Sequence, residues 1–211
     1  MDLYEAIEST GTCRYYKPDP IPAKVLRRVL EAARFAPSGG NRQPVRFVIV
    51  TDPALRKELA ALYLPHWKQY IGGMTRGDVR VDTLPAMVRN ADYFANHLAE
   101  VPAIAVVCAR LADCFATDTQ LGRLSVVGGA SIYPAVQNFI LACRAEGLGT
   151  ALTTLLVAEE PKVRPLLGLP DDISTAAFVA VGYPAKPFPK ALRRRTLDES
   201  CFANRWGQKL P

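Results

Sequence analysis

Residues 36 to 44 read Ala36-Pro37-Ser38-Gly39-Gly40-Asn41-Arg42-Gln43-Pro44. Two adjacent glycines let the backbone come close to a flat or phosphorylated ligand, while Ser38 and Asn41 present a hydroxyl and an amide to it. A turn that merely closes a helix has the same local pattern, so the stretch gains meaning only in company. Three other sets of residues carry groups that could bind or act. Arg14 stands two residues after Thr12, Leu152-Thr153-Thr154 sets two hydroxyls in a row, and Arg193-Arg194-Arg195 is the densest cationic cluster. Each also has a plain structural reading: an ion pair of Arg14 with Asp19 or a nearby glutamate, strand threonines, and a solvated basic turn. Trp67 and Tyr70 read as interface or core aromatics more readily than as substrate clamps, and Cys13 reads as a buried, inert thiol.

Composition narrows what these groups could serve. The chain has 211 residues with 49% hydrophobic content, enough for one core, and is expected to form a single globular domain. Its 17 prolines are scattered at element boundaries, which does not suit a disordered or collagen-like chain. The net charge of +6 lacks aromatic interleaving or a recognised nucleic-acid motif, so a small anionic ligand, a phosphate or a nicotinamide nucleotide, is the expected partner and nucleic acid is not. Five cysteines without a CxxC pair and only two histidines, His66 and His97, give no metal-site spacing and suit reduced thiols in a cytosol. The acidic start, Met1 to Glu8, does not resemble an export signal, and no apolar stretch reaches the ~18 residues of a membrane span. The expected location is cytoplasmic, with no membrane association.

The elements that position these groups follow from periodicity. Leu3, Ala6 and Ile7 predict a short helix ending at Ser9-Thr10-Gly11, and Cys13 to Lys17 reads as extended. Val25, Leu26, Val29, Leu30, Ala33 and Ala36 mark one face of an amphipathic helix that opens after Pro22. Val45 to Val50 is a strand, and Asp52-Pro53 caps the next helix, which carries Leu55, Leu59, Leu62 and Tyr63. Between 64 and 96, Pro65, Gly72-Gly73 and Pro85 break the pattern, predicting an irregular insertion of the kind that covers a site. The continuous apolar run Val101 to Cys108 predicts a strand covered on both faces. A central helix over Ala130 to Glu146 stops at Gly147, and 148 to 155 is ambiguous between strand and loop. A short helix between Glu159 and Gly168 and a strand from Ser174 to Gly182 follow, and the proline-rich tail from Tyr183 is expected to wrap over a neighbour. The fold class predicted is α+β, an α/β sandwich around a mixed central sheet.

Four ordered segments resemble the FMN-dependent nitroreductase-like proteins over nearly the whole chain. They are Leu3-Tyr4-Glu5-Ala6-Ile7 leading to Arg14; Glu31 to Pro44 with Arg46-Phe47; Tyr133 to Asn138 with Glu146 to Thr150; and Gly182-Tyr183-Pro184 followed by the arginine triplet. The resemblance implies a nitroreductase-like homodimer holding FMN at the subunit interface. The segment Thr10 to Arg14 would then run along the ribityl-phosphate chain and the pyrimidine edge, with Thr12 where the family commonly has a serine and Arg14 where it has a basic residue. Pro37, Ser38, Gly39, Gly40 and Asn41, with Gln43, would approach the ring from the partner subunit. Leu152, Thr153 and Thr154 would face the flavin near N5, and Arg193 or Arg194 would meet the phosphate. The family usually carries a further basic group at the position of Thr10 or Gly11, and this chain has none; charge-assisted bonds to phosphate are the stronger class, so the arginine triplet would have to compensate.

The implied activity is hydride transfer from NADH or NADPH through the flavin to a small electron-poor acceptor of the nitroaromatic or quinone type. No Ser-His-Asp set or paired carboxylates are needed, because the cofactor supplies the chemistry. Two alternatives stay open: a flavin-dependent oxidase or dehydrogenase of a biosynthetic pathway, and a flavin-binding or sequestering protein without turnover.

Overall fold

The computed structural model describes residues 1–75 and 83–211. In chain order it contains α1 (Leu3–Ser9), α2 (Ala23–Arg34), β1 (Val45–Val50), α3 (Pro53–Thr75), α4 (Ala86–Asn96), β2 (Ala103–Arg110), α5 (Tyr133–Ala145), β3 (Gly149–Thr153), α6 (Glu160–Leu167), β4 (Ile173–Gly182) and the one-turn α7 (Leu197–Ser200). The α+β class holds. The strands lie in the order β1-β2-β4-β3, and every neighbouring pair is antiparallel. Among the described residues, the expected mixed sheet thus has its parallel component only in an isolated bridge from Thr12 to Thr150 at the β3 edge. Two successive helices, α3 and α4, separate β1 from β2; a single crossover helix would have returned a parallel strand.

Alternation along β2 sorts its side chains into two layers. Ala103, Ala105, Val107 and Ala109 meet Val29 and Ala33 of α2 and Val136, Phe139 and Cys143 of α5. Ile104, Val106 and Cys108 face the other way, toward Leu59, Tyr63 and Trp67 of α3, Phe94 of α4 and Val163 of α6. The small alanines let α2 and α5 lie close to the sheet. Phe139 is wholly buried there, a contribution of about 1.5–3 kcal/mol.

Local chemistry sets most boundaries. Asp52 Oδ1 accepts from the Ala54 and Leu55 N–H groups at 2.8 and 3.0 Å, and Pro53 opens α3 without a wasted donor. α2 stops at Arg34 because Pro37 disfavours helical backbone at Ala36. β2 begins at Ala103, two residues later than the apolar run suggests: Pro102 has no amide hydrogen, and the Val101 carbonyl accepts from the Arg56 guanidinium instead. α5 starts at Tyr133 rather than Ala130, with Pro134 in its first turn, and Gly147 and Leu148 close it by donating to the Arg144 and Cys143 carbonyls at 3.1 and 2.8 Å. The ambiguous stretch after it contains β3.

The expectation of an irregular insertion over 64–96 is corrected. α3 runs through Pro65 to Thr75 and α4 fills 86–96, while 76–82 lies outside the described residues. Pro65 brings no amide hydrogen to the Ala61 carbonyl, and both residues are exposed, so solvent can reach that acceptor. Tyr63 and Trp67, four residues apart, are 3% and 7% exposed. Burying two aromatics, about 1.5–3 kcal/mol apiece or roughly 3–6 kcal/mol together, offsets the ~3 kcal/mol of a helical proline. Among the described residues no helix is long and apolar enough to cross a membrane. The tail returns over its own chain: the Lys17 N–H donates to the Tyr183 carbonyl at 2.8 Å, and the Ala185 N–H to the Tyr15 carbonyl at 2.9 Å.

Candidate functional site

The residues following α1 are laid against the β3 edge. Thr12 bridges Thr150, and the Cys13 N–H donates to the Thr150 carbonyl at 2.8 Å. Gly149 makes this approach possible, because a Cβ there would stand 2.6 Å from both Cβ and Sγ of Cys13. Cys13 is thereby a packing residue: burial raises its thiol pKa, and its Sγ lies 3.3 Å from the Tyr15 carbonyl.

Two cavities adjoin along this edge and share Thr12 and Leu152. The first, about 320 Å³, is polar and is lined by Thr10, Gly11, Thr12, Gln137, Thr150 and Arg194 among others. Arg194 is its one charged residue; Arg193 and Arg195 do not line it. The second, about 290 Å³, is lined by Arg14, Tyr63, Trp67, Tyr70, Thr153 and Thr154 beside the shared pair. Each lies near or within the 300–1,000 Å³ typical of ligand sites. Leu152 is 42% exposed between them, an apolar platform that one chain leaves uncovered.

Arg14 is half-buried yet has neither a hydrogen bond nor an ion pair among the described residues. The ion pair with Asp19 or a glutamate is therefore not formed. Its charge is felt by Tyr63, whose phenol pKa is raised by burial, with Thr153 and Arg14 opposing the shift. Thr153 Oγ1 accepts the Leu155 N–H at 3.3 Å and ends β3. The Thr12 hydroxyl and the exposed Gln137 amide have no partner among the described residues. An unpaired cation, free hydroxyl and amide donors, a second cation and an apolar platform form a donor set that fits a flat ligand with an anionic end, such as FMN.

The Gly-Gly loop is elsewhere. Ser38 Oγ accepts from the Gln43 N–H at 2.9 Å, the Gly39 N–H donates to Ser131 Oγ at 3.1 Å, and Gln43 Nε2 donates to Asn41 Oδ1 at 3.2 Å. These bonds hold Gly40, Asn41 and Gln43 at φ of +59°, +53° and +50°, a left-handed conformation costing non-glycine residues roughly 1–2 kcal/mol each. Pro37, Gly39, Gly40, Asn41 and Gln43 are exposed. None of them lines either cavity holding Thr12 and Leu152. The loop precedes β1, the edge strand opposite β3, and enters where Val45 aligns through Ala109 with Ser174, whereas Thr150 pairs with Val181 near the other end of β4; the two groups are therefore separated by three strand spacings across the sheet, ~14 Å, and by several residues along it.

Of the residues singled out from sequence, the structure brings together Thr12, Arg14, Leu152, Thr153, Thr154 and Arg194 and leaves the 37–43 loop and Arg193 apart. Tyr63 and Gln137 escaped that selection. Gln137 stands beside Asn138 in a largely apolar helix, and nothing in that pair singles it out from sequence.

The Nitroreductase family model matches residues 7–183. A protein named NADH dehydrogenase from Thermus thermophilus is 33% identical, covering 88% of each chain. The 5,6-dimethylbenzimidazole synthase of Rhodospirillum rubrum is 30% identical over 83% of this chain and 79% of its own. Among solved structures, oxidized iodotyrosine deiodinase bound to FMN and 3-iodo-L-tyrosine superposes with a TM-score of 0.66 at 25% identity, covering 92% of this chain and 96% of that one.

Proposed function

The chain belongs to the nitroreductase family, and from that premise we propose that it is a cytoplasmic, single-domain, FMN-dependent oxidoreductase working as a homodimer. It takes a hydride from NADH or NADPH and delivers it to a small electron-poor acceptor of the nitroaromatic or quinone type. The observation that carries this reading is Arg14, a half-buried guanidinium without a side-chain partner among the described residues, which lines the aromatic cavity two residues from the Thr12 that this cavity shares with the polar one. Left unpaired in one chain, such a cation is poised to meet negative charge supplied by a ligand.

FMN, when bound, supplies the acceptance and donation of hydride. The protein's part is binding and electrostatics. Arg14 would stabilise the negative charge that builds on the pyrimidine side during reduction. Thr12 and Gln137 offer hydrogen bonds along the polar cavity, and Arg194 offers the cation for an anionic end. Tyr63 is a neutral phenol, whose pKa burial raises further, so it can donate but adds no charge. Trp67 and Tyr70, with ring centroids 5.9 Å apart, wall the second cavity against water.

The separation of the Ser38–Asn41 loop from this edge supports the dimer. A strained loop that lines neither cavity of this edge in its own chain suits the site of a second copy. The likeness to 5,6-dimethylbenzimidazole synthase favours a second reading, a flavin-dependent oxidase or dehydrogenase of a biosynthetic pathway, in which an organic substrate reduces the flavin without NAD(P)H. The visible spectrum before and after anaerobic addition of NADH or NADPH decides between them. A yellow protein that bleaches supports the reductase. A yellow protein that bleaches with neither donor overturns it in favour of the oxidase or a sequestering protein, and a colourless protein that takes up no FMN overturns every flavin reading.

A further inference from the structure

Positions 10 and 11 carry no charge beside the polar cavity. Thr10 turns its hydroxyl back to the Ala6 carbonyl at 2.5 Å, and Gly11 has no side chain. The space a side chain at 11 would need is filled by the C-terminal segment: a Cβ there would stand 3.0 Å from Pro189 Cγ and 3.4 Å from Leu192 Cδ2. That segment is fastened on both sides of the contact. Before it, the Ala185 N–H donates to the Tyr15 carbonyl at 2.9 Å, and after it the Leu192 N–H donates to the Glu8 carbonyl at 3.1 Å. Between them the Arg144 guanidinium sits over the Phe188 ring, 3.9 Å from its centroid, while Arg144 Nε donates to Ser9 Oγ at 3.2 Å. Two residues beyond Leu192 comes Arg194, the one charged residue lining the cavity.

We propose that Gly11 is a positioning residue: its bare Cα is the seat on which Pro189 and Leu192 lock a C-terminal strap, and the lock delivers Arg194 to the cavity of Thr10, Thr12 and Gln137. The inference rests on the reading that this cavity takes the phosphate end of FMN. The backbone at 11 is held between the end of α1 and the Thr12–Thr150 bridge, whereas Pro189 is exposed. A side chain at 11 therefore moves the strap, not the segment beneath it, and moving the strap moves Arg194. The missing cation at 10 or 11 and the glycine at 11 are two aspects of one arrangement: the charge arrives from the other end of the chain.

Charge counting alone predicts that Gly11→Arg tightens FMN, whereas the strap predicts that it does not. The test titrates apoprotein with FMN, following flavin fluorescence, for the wild type, Gly11→Arg, Gly11→Leu, Pro189→Gly, Arg194→Ala and the double variant Gly11→Leu/Arg194→Ala, each checked for native circular dichroism. Loss of a charge-assisted bond in Arg194→Ala should raise the dissociation constant roughly tenfold or more. Gly11→Leu should lose most of that factor, and the double variant should bind no more weakly than Arg194→Ala, the non-additivity of residues acting through one contact. Pro189→Gly loosens the strap without altering residue 11 and should weaken binding in the same direction, which keeps the idea testable if Gly11→Leu does not fold. Wild-type affinity in Pro189→Gly and in a folded Gly11→Leu, full additivity in the double variant, or tighter binding by Gly11→Arg overturns the strap and leaves the flavin reading intact. Failure of the wild type to take up FMN overturns the flavin reading itself, and the strap's role with it.

Discussion

Thr12 and Thr150 form the one parallel bridge among the described residues, and it joins the N-terminal segment to the free edge of an otherwise antiparallel sheet. Both cavities of the site open along this seam, so the groups that meet there come from residues near each end of the chain and from its middle.

Arg14→Ala should weaken FMN binding by roughly 10–100-fold, the loss of a hydrogen bond to a charged group at about 1.5–3 kcal/mol. The variant should fold normally, since Arg14 has no ion pair or hydrogen bond among the described residues. An unchanged dissociation constant by fluorescence titration would remove Arg14 from the site.

Cofactor retention should follow the dimer. On dilution, flavin release and subunit dissociation, tracked by fluorescence and analytical ultracentrifugation, should share one concentration midpoint. A monomer that keeps FMN would contradict the contribution of the Ser38–Asn41 loop across the interface.

Asp118 should govern part of the acid sensitivity. The Ser125 hydroxyl at 2.6 Å, then the Val126 N–H at 2.9 Å and Arg123 at 2.8 Å, hold its carboxyl below the usual carboxylate range. A depressed folded-state pKa contributes stability that is fully present above the unfolded value of about 4 and is lost as pH falls through the folded value. Thermal melts should find Asp118→Asn less stable at neutral pH, with a shallower loss of stability on acidification; equal slopes in both proteins would exclude the assignment.

Trp67→Phe should cost about 2 kcal/mol, because Trp67 Nε1 donates to Asp92 Oδ1 at 2.8 Å and bonds to charged groups are worth about 1.5–3 kcal/mol. Asn96 still serves Asp92 from Nδ2 at 3.1 Å, which limits the loss. Denaturant unfolding should report the change in midpoint with FMN affinity within about twofold of wild type, given that a phenyl ring keeps the wall; a large loss of FMN affinity would make Trp67 a direct ligand contact.

Much of this was legible in the sequence where the signal is local. β1 occupies Val45–Val50, as its apolar run and the Asp52-Pro53 cap indicate, and Val25, Val29 and Ala33 are the buried face of α2 that their spacing predicts. Pro65 misled because a local penalty was offset by burial of Tyr63 and Trp67, which depends on the sheet beneath. Thr12, Arg14 and Leu152–Thr154 emerged from resemblance rather than from pattern: what joins them is Gly149 admitting Cys13, a contact between residues far apart in the chain. Tyr63 lies in an ordinary helix stripe and becomes a site residue only through its nearness to Thr153 and Arg14. The choice of Arg194 over its two neighbours depends on where the strap crosses Gly11, for which a run of three arginines holds no information.

The placement of the strained Ser38–Asn41 loop and of Arg14 at opposite edges of one sheet has a genetic corollary. In a two-fold dimer each site would draw Arg14 from one subunit and the loop from the other. Two inactive chains, one damaged at Arg14 and one in the loop, would then complement each other when co-expressed: every mixed dimer would carry one doubly damaged site and one intact site. Recovery of flavin and activity by such a mixture, from parents that have neither, would be the signature of a site shared between subunits.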